Sequence, residues 1–156
     1  MIIKKLSSGA PVEDEEFDAM YSRRMQKISA FHFTPVKVAQ AASRYLVWKS
    51  KARVLDIGSG AGKFCMIGAA CTEGSFTGVE QRKNLHTLAK RLSKRYELLN
   101  IEHINCNVMS LDFEAFDAVY YFNAFYENIV QDSAIDQAVP LDKAFYTLYT
   151  QYMREQ

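Results

Sequence analysis

A chain of 156 residues, with 49% apolar and 24% charged residues, is long enough to bury the core of one domain and is unlike a disordered or fibrous protein. Its formal net charge of +1 gives no general attraction to nucleic acid, and no apolar run approaches the length of a membrane span. The opening residues MIIKKLSSG lack the apolar segment of a secretory signal. We therefore expect a cytoplasmic protein that neither enters a membrane nor binds nucleic acid.

The cysteines support the same expectation. Cys65, Cys71 and Cys106 are scattered, form no CxxC pair and have no histidine cluster near them. An odd, dispersed set of cysteines favours reduced thiols over disulfides or zinc ligands. The sequence therefore predicts no metal site.

The first part of the chain is predicted to be helical. Apolar residues recur at three- and four-residue steps from Glu13 to Ala30, which indicates one amphipathic helix. The segment FHFTP, residues 31–35, then interrupts the pattern. Thr34 followed by Pro35 is typical of a helix start, because threonine caps the first turn and proline fits within it. A second helix is therefore predicted from Pro35 to Trp48.

The rest of the chain alternates short apolar runs with amphipathic segments. Strands are predicted at Arg53–Ile57, Ser75–Val79, Ile101–Cys106 and Phe116–Phe122, and helices at Lys63–Cys71, Arg82–Leu99 and Leu141–Met153, with residues 126–140 irregular. This alternation favours a doubly wound α/β domain with a mainly parallel sheet. The strands are almost entirely apolar, as expected when helices cover both faces of the sheet.

The stretch RVLDIGSGAGKF, residues 53–64, resembles three nucleotide-binding motifs. A phosphate-binding P-loop needs a hydroxyl residue directly after its lysine to hold magnesium, and here Phe64 follows Lys63. A dinucleotide-binding turn needs its third glycine one residue later than Gly62. That motif also usually lacks an acid at the position of Asp56. The sequence therefore argues against a P-loop and leaves an NAD site as an alternative.

The pattern acid-x-Gly-x-Gly-x-Gly resembles that of the class I S-adenosylmethionine-dependent methyltransferases. The resemblance implies a Rossmann-like methyltransferase fold with S-adenosylmethionine as cofactor. The methionine end of the cofactor would lie across the turn, where glycines let the backbone approach. Its carboxylate is expected to meet free amide N–H groups, and its cationic groups account for the acid. The expected contacts are Asp56, Ile57, Gly58, Ser59, Gly60 and Gly62.

Two further cofactor contacts follow from the same resemblance. Glu80 ends the second strand, beside the glycine turn, so its carboxylate is expected to bind both ribose hydroxyls, with Gln81 against the adenosine. After the third strand, Asn107 stands where the family usually has an acid, and Val108 follows it. Both are expected at the adenine, because an asparagine oxygen can accept from the exocyclic amine. Asp112 is a competing candidate.

The acceptor side of the site is expected after the fourth strand, in the segment YYFNAFYEN. Asn123 resembles the first residue of the Asn-Pro-Pro-aromatic motif of amino-group methyltransferases, although neither proline is present. Asn123 and Tyr126 are therefore the candidate catalytic residues, and Asn123 is also expected to touch the cofactor. Thr34 is expected near the methionine end. His32 is an alternative candidate for a general base, although a lone histidine is more often a packing or surface residue.

The resemblance covers about residues 31–125, the cofactor half of a sheet that usually has seven strands in this family. We therefore predict a helical extension over residues 1–30 and a cofactor-binding domain over residues 31–156 that lacks the distal strands, whether by truncation or naturally. The fourth strand would then be an apolar edge, and we predict a homodimer formed through residues 116–153. The predicted function is methyl transfer to an unidentified acceptor, a small molecule or a protein amino group. A regulatory binding module without catalysis and an NAD-binding protein are the alternatives.

Overall fold

The computed structural model describes residues 1–130 and 134–156. Four strands form a parallel sheet in the order β3-β2-β1-β4, where β1 is Arg53–Ile57, β2 Ser75–Val79, β3 Ile101–Ile104 and β4 Ala118–Tyr121. The helices are α1 (Ile2–Ser7), α2 (Asp14–Asp18), α3 (Arg23–His32), α4 (Val36–Leu46), α5 (Lys63–Cys71), α6 (Lys83–Arg95) and α7 (Lys143–Glu155). Short 3-10 turns lie at Val108–Ser110, Phe113–Ala115 and Tyr126–Asn128. The predicted α/β fold with a parallel sheet is confirmed. None of the helices in the described ranges is both long and apolar enough to cross a bilayer.

The sheet has a separate core on each face. Along β1, Val54 packs in the larger core, whereas Leu55 and Ile57 pack in the smaller one, as expected for side chains that alternate along a strand. The larger core is built with α5 and the N-terminal helices. The smaller core is closed by α7, where Tyr149 stacks on Phe125 with ring centroids 4.9 Å apart. Helices therefore cover both faces of the sheet, as a doubly wound fold requires.

The edge strand β4 is only partly covered. Tyr120 stacks on Phe64 of α5 with ring centroids 3.8 Å apart, so one face of β4 is packed. On the other face, Val119 and Tyr121 are 38% and 46% exposed. The prediction that β4 is an apolar edge is confirmed. The expectation that every strand is covered on both faces is wrong for this one.

The single helix predicted over Glu13–Ala30 is wrong, because the chain breaks between α2 and α3. Ser22 has an extended backbone (φ −64°, ψ 157°), and its hydroxyl accepts from the amide of Met25 at 3.3 Å. Ser22 thus caps α3. The spacing of apolar residues continues across the break, so the periodicity of the sequence gives no sign that the helix ends there. The short helix α1 was also not predicted, and its Ile3 and Leu6 lie in the larger core.

Several helix ends differ from the prediction, and two of them have a clear cause. Thr34 does not cap α4, because its hydroxyl lies 3.1 Å from that of Tyr120. Instead, Asp14 on α2 accepts from the amide of Val36 at 3.0 Å, so the cap comes from a distant part of the chain. The helix α6 ends before its predicted last turn, where Glu97 takes a left-handed conformation (φ 56°).

A buried cation holds the N-terminal helices against the sheet. Lys63, the first residue of α5, has a side chain that is 3% exposed. Its Nζ lies 2.6 Å from Asp14 Oδ1 and 2.9 Å from Asp18 Oδ1, both on α2. It also donates to Ser29 Oγ on α3 at 3.2 Å. The lysine that follows the glycine turn therefore joins three helices.

Replacing Lys63 with methionine is expected to lower the free energy of unfolding by roughly 3 kcal/mol, because it leaves Asp18 buried without a partner. Chemical denaturation measures the loss. The matched control is Lys37→Met, which breaks the exposed Lys37–Glu13 pair and is expected to leave the free energy of unfolding nearly unchanged. Equal losses for the two variants would contradict the anchoring role of Lys63.

Candidate functional site

The glycine turn joins β1 to α5 through left-handed backbone. Gly58, Gly60 and Gly62 have φ values of 70°, 55° and 78°, a region that residues with a Cβ rarely adopt. A Cβ on Gly58 would lie 2.7 Å from Ala124 Cβ, and one on Gly60 would lie 2.7 Å from the Phe33 ring. The glycines therefore let two other segments of the protein close on the turn.

The amides of this turn already have protein acceptors. Gly58 and Ser59 both donate to the carbonyl of Val79, at 2.9 and 3.0 Å. Gly62 donates to the carbonyl of Ser59 at 2.8 Å, and Gly60 donates to the Glu80 carboxylate at 3.0 Å. None of these four amides is therefore free for a carboxylate, because three of them bind β2 and the acid that follows it, and the fourth closes the turn on itself.

Asp56 is a buried carboxyl group at the end of β1. Its Oδ2 accepts from the Cys65 thiol at 3.4 Å. The pKa of Asp56 is raised to about 7, mainly by burial; the hydrogen bond from the Cys65 thiol opposes the shift, and the nearby Glu80 charge adds to it. Among the described residues, no lysine or arginine forms an ion pair with it. A cation beside Asp56 would therefore stabilise its ionised form.

Glu80 is held between the glycine turn and the start of α6. Its Oε2 accepts from the Gly60 amide at 3.0 Å, and its Oε1 accepts from the Arg82 amide at 2.8 Å. Burial raises the pKa of Glu80 even though these bonds and the Arg82 charge oppose the shift. Each oxygen keeps a free lone pair after one N–H bond, so the fixed carboxylate can still accept two hydrogen bonds.

These residues line two cavities. The larger has a volume of about 630 Å³ and the smaller about 280 Å³. Of the predicted site residues, the larger is lined by Ile57, Gly58, Gly60, Glu80, Gln81, Asn107, Val108 and Asn123, and the smaller by Thr34, Asp56, Gly58 and Ser59. The two cavities share His32, Phe33, Gly58 and Phe122. The sequence thus predicted most residues of one continuous site.

Two predicted residues lie outside the walls of both cavities. A Cβ on Gly62 would lie 3.0 Å from Ala89 Cβ, so this glycine lets α6 pack against the turn. Tyr126 is 45% exposed. The 3-10 turn that it begins buries the next residue, Glu127, in the larger cavity instead. Any catalytic role of Tyr126 stays a prediction without support from its position.

The predicted adenine contact Asn107 makes two hydrogen bonds. Its amide group donates to the Tyr149 hydroxyl at 2.7 Å, and its oxygen accepts from the Met109 amide at 3.0 Å. The second bond caps the 3-10 turn that begins at Val108. Tyr149 belongs to α7 and lines the larger cavity, although nothing in its local sequence predicted a place in the site.

Asn123 occupies a constrained position after β4. Its φ is 52°, which asparagine tolerates better than most residues. Its carbonyl accepts from the Tyr126 amide at 3.1 Å, which closes the turn that follows the strand. Strained backbone that lines a cavity is typical of functional sites.

A charged network that was not predicted from the sequence lies at the larger cavity. Glu127 is 7% exposed, and its Oε2 accepts from the Arg82 guanidinium. Its Oε1 lies 3.8 Å from Nδ1 of His32. Arg82 also donates to Asp136 at 2.9 Å. The available signal was an acid within the aromatic run FNAFYEN. The described residues contain no cluster of three or more His, Cys, Asp or Glu residues that could hold a metal ion.

Solved structures with a similar fold are distant from this chain in sequence. The YcgJ protein of Bacillus subtilis is 22% identical, with a TM-score of 0.51 over 57% of this chain and 38% of that chain. An S-adenosylmethionine-dependent O-methyltransferase of Thermotoga maritima is 19% identical, with a TM-score of 0.52 over 64% and 40%. An RNA methyltransferase of Salinibacter ruber, in complex with S-adenosylhomocysteine, is 19% identical, with a TM-score of 0.55 over 61% and 63%. The chain thus spans less than two thirds of the length of each of these three proteins.

No curated protein matches the chain in sequence. The sequence model of the methyltransferase domain family, however, matches residues 54–140, which is more than half of the chain and includes the glycine turn, Glu80 and Asn123. The resemblance predicted from the glycine turn is therefore confirmed, and the chain belongs to the methyltransferase domain family.

Proposed function

We propose that this chain binds S-adenosylmethionine at the glycine turn and transfers its methyl group to an amino group of a small molecule or protein. One observation carries the proposal. Two buried acids, Asp56 and Glu80, line two cavities that meet at Gly58. This arrangement suits a ligand with a cationic end and a ribose diol, and the family match favours the same cofactor.

The smaller cavity fits the methionine end of this cofactor. Asp56 is buried there without an ion-pair partner among the described residues and would bind the ammonium group. Ser59 Oγ is buried and lacks a hydrogen-bond partner in the described part of the chain, so it can donate to the carboxylate. The Thr34 and Tyr120 hydroxyls, which bond to each other at 3.1 Å, complete the polar wall.

The larger cavity fits the nucleoside. The two Glu80 oxygens would accept from the two ribose hydroxyls, because their positions are fixed by backbone amides on both sides. Asn107, Val108 and Tyr149 lie farther along the wall and would contact the adenine. Gln81 lines the same cavity from the start of the loop after β2.

The chain would contribute mainly alignment and exclusion of water. The bound cofactor supplies a methyl group already activated on a sulfonium sulfur. Phe33 and Phe122 line both cavities and would keep water from their junction. Asn123 lies where its amide and carbonyl can orient an acceptor nitrogen.

A binding module without turnover is the second candidate. The sheet of the described residues ends at β4, so the part of the chain after Asn123 contributes to the larger cavity only Ala124, Phe125 and residues of a 3-10 turn, the loop after it and α7. Binding of both S-adenosylmethionine and S-adenosylhomocysteine, with no transfer to any amine, hydroxyl or protein extract, would favour this second function.

We further propose that the protein is cytoplasmic and self-associates through residues 116–153. The three cysteines are free thiols, which suits a reducing compartment. Cell fractionation is the direct check of location. For association, the exposed face of β4 supplies apolar surface beside unpaired backbone. Residues 131–133 of this segment lie outside the described residues.

Replacing Glu80 with glutamine is expected to weaken S-adenosylhomocysteine binding at least about tenfold, because the amide loses one of the two charged acceptors for the ribose diol. Isothermal titration calorimetry measures the dissociation constant. The matched control is Glu102→Gln on the exposed side of β3, which is expected to leave affinity unchanged. The ribose role of Glu80 fails if both variants bind like the wild type.

Cofactor binding is expected to strengthen as the pH rises from 6 to 8. The pKa of the free Asp56 carboxyl is about 7, and a bound ammonium favours the ionised form, so binding below pH 7 must release a proton. Affinity for S-adenosylhomocysteine should therefore fall by up to about tenfold per pH unit below 7. In Asp56→Asn, binding should be weaker and the pH dependence smaller. A slope that survives unchanged in this variant would exclude Asp56 as its source.

Replacing Val119 with lysine is expected to abolish self-association, because it places a charge on the exposed face of the edge strand. Sedimentation velocity over a concentration series measures the change. Val38→Lys is the matched control, since Val38 is a similarly exposed valine on α4, at 45%. A wild-type protein that stays monomeric at high concentration would rule out the proposed interface.

A further inference from the structure

The junction of the two cavities carries an acid–histidine pair that the proposed cofactor contacts leave unused. His32 lines both cavities, and Glu127 lines the larger one. The side chains are 15% and 9% exposed, and Nδ1 of His32 lies 3.8 Å from Oε1 of Glu127. The two residues are far apart in sequence and come from α3 and from the 3-10 turn after β4.

We propose that His32 accepts the proton released by the methyl acceptor, that Glu127 positions His32 for this step, and that the acceptor is an amine that enters as an ammonium ion. This inference rests on the proposed function and adds to it a catalytic residue, a positioning residue and a substrate class.

The position of His32 follows from the shape of the cofactor. The sulfonium sulfur joins the nucleoside to the methionine chain. If Glu80 holds the nucleoside in the larger cavity and Asp56 holds the methionine in the smaller one, the sulfur and its methyl group lie where the cavities meet. Four residues line both cavities, namely His32, Phe33, Gly58 and Phe122. His32 is the only one of these four with a basic side chain, so it alone can accept the proton.

Glu127 is suited to position the imidazole. Its Oε2 is held by the Arg82 guanidinium, which leaves Oε1 directed toward His32. Arg82 is itself fixed by Asp136 at 2.9 Å, and Asp136 accepts from Asn84 at 3.0 Å. A buried carboxylate close to an imidazole stabilises the imidazolium that forms on proton transfer. Glu127 therefore acts through His32.

The charges around the larger cavity favour a cationic acceptor. Two carboxyl groups, those of Glu80 and Glu127, line the cavity beside one guanidinium, that of Arg82. The described part of the chain adds no other lysine or arginine to the cavity wall. The aromatic rings of Phe33 and Phe122 at the junction can also contact a cation through their faces. An ammonium ion is attracted both by the carboxylates and by the aromatic faces, whereas a neutral alcohol is attracted by neither.

The reaction balances with these groups alone. The acceptor ammonium gives one proton to the neutral imidazole of His32 and becomes an amine with a free lone pair. That lone pair forms the bond to the methyl carbon as the carbon–sulfur bond breaks and its electron pair stays on sulfur. The products are a methylammonium ion, neutral S-adenosylhomocysteine and an imidazolium beside the Glu127 carboxylate. The extra proton leaves His32 to solvent when the products depart.

The test uses sinefungin, a stable analogue in which a carbon bearing an amino group replaces the sulfur bearing the methyl. Its ammonium group takes the place of the transferred methyl group, and its charged nitrogen therefore lies where the acceptor nitrogen approaches. Calorimetric titration of the whole chain gives the ratio of sinefungin affinity to S-adenosylhomocysteine affinity. In the wild type this ratio is expected to exceed one. In Glu127→Gln and in His32→Gln it is expected to fall about tenfold, the size of one charge-assisted hydrogen bond.

The matched control is Glu102→Gln, which removes an exposed carboxylate of β3 that lines neither cavity. Its affinity ratio is expected to equal that of the wild type. A ratio that is the same in the wild type and in either Glu127→Gln or His32→Gln overturns the inference, as does an equal fall in Glu102→Gln. The affinity for S-adenosylhomocysteine is measured separately. A wild-type chain that does not bind S-adenosylhomocysteine would instead overturn the proposed function. Variants that keep this affinity are shown to be folded by the same experiment.

Discussion

The site is organised by the burial of two carboxyl groups at the ends of adjacent parallel strands. Asp56 ends its side of the glycine turn without an ion-pair partner among the described residues, and Glu80 is held by two backbone amides. Burial raises the pKa of both, and the charge of Glu80 adds to the shift of Asp56. An unpaired buried carboxylate is costly. The burial of these two groups therefore carries an electrostatic penalty, which a cation beside Asp56 would reduce.

The N-terminal segment is part of the site. Phe33 packs on Gly60, the Tyr21 hydroxyl approaches the Ala61 carbonyl at 3.5 Å, and Thr34 reaches Tyr120. These contacts join the start of the chain to the glycine turn and to β4. Residues of α1 and of the segment before α3 also share the larger core with the strands. The geometry of the pocket thus depends on docking of the first 35 residues.

The sequence predicted the elements that local patterns specify. All four strands, α5 and the glycine turn were placed closely, because apolar runs and glycine spacing are local signals. The failures involve contacts between distant segments. Asp14 caps α4 in place of Thr34, and Lys63 pairs with α2, and neither partner can be read from nearby residues. Glu127 was missed because its inward direction depends on a 3-10 turn that leaves Tyr126 outside.

Gly62 and Lys63 are adjacent in sequence but have different structural roles. Gly62 turns the chain into α5 with φ of 78°, and Lys63 places its ammonium between Asp14 and Asp18. An insertion or deletion in the loop from Gly58 onward would rotate α5 by about 100° per residue and carry the ammonium away from both acids. The length of the loop is therefore constrained twice, once by its close contacts with Phe33 and Ala124 and once by helix docking. Relatives are expected to vary the amino acids of this loop more readily than their number.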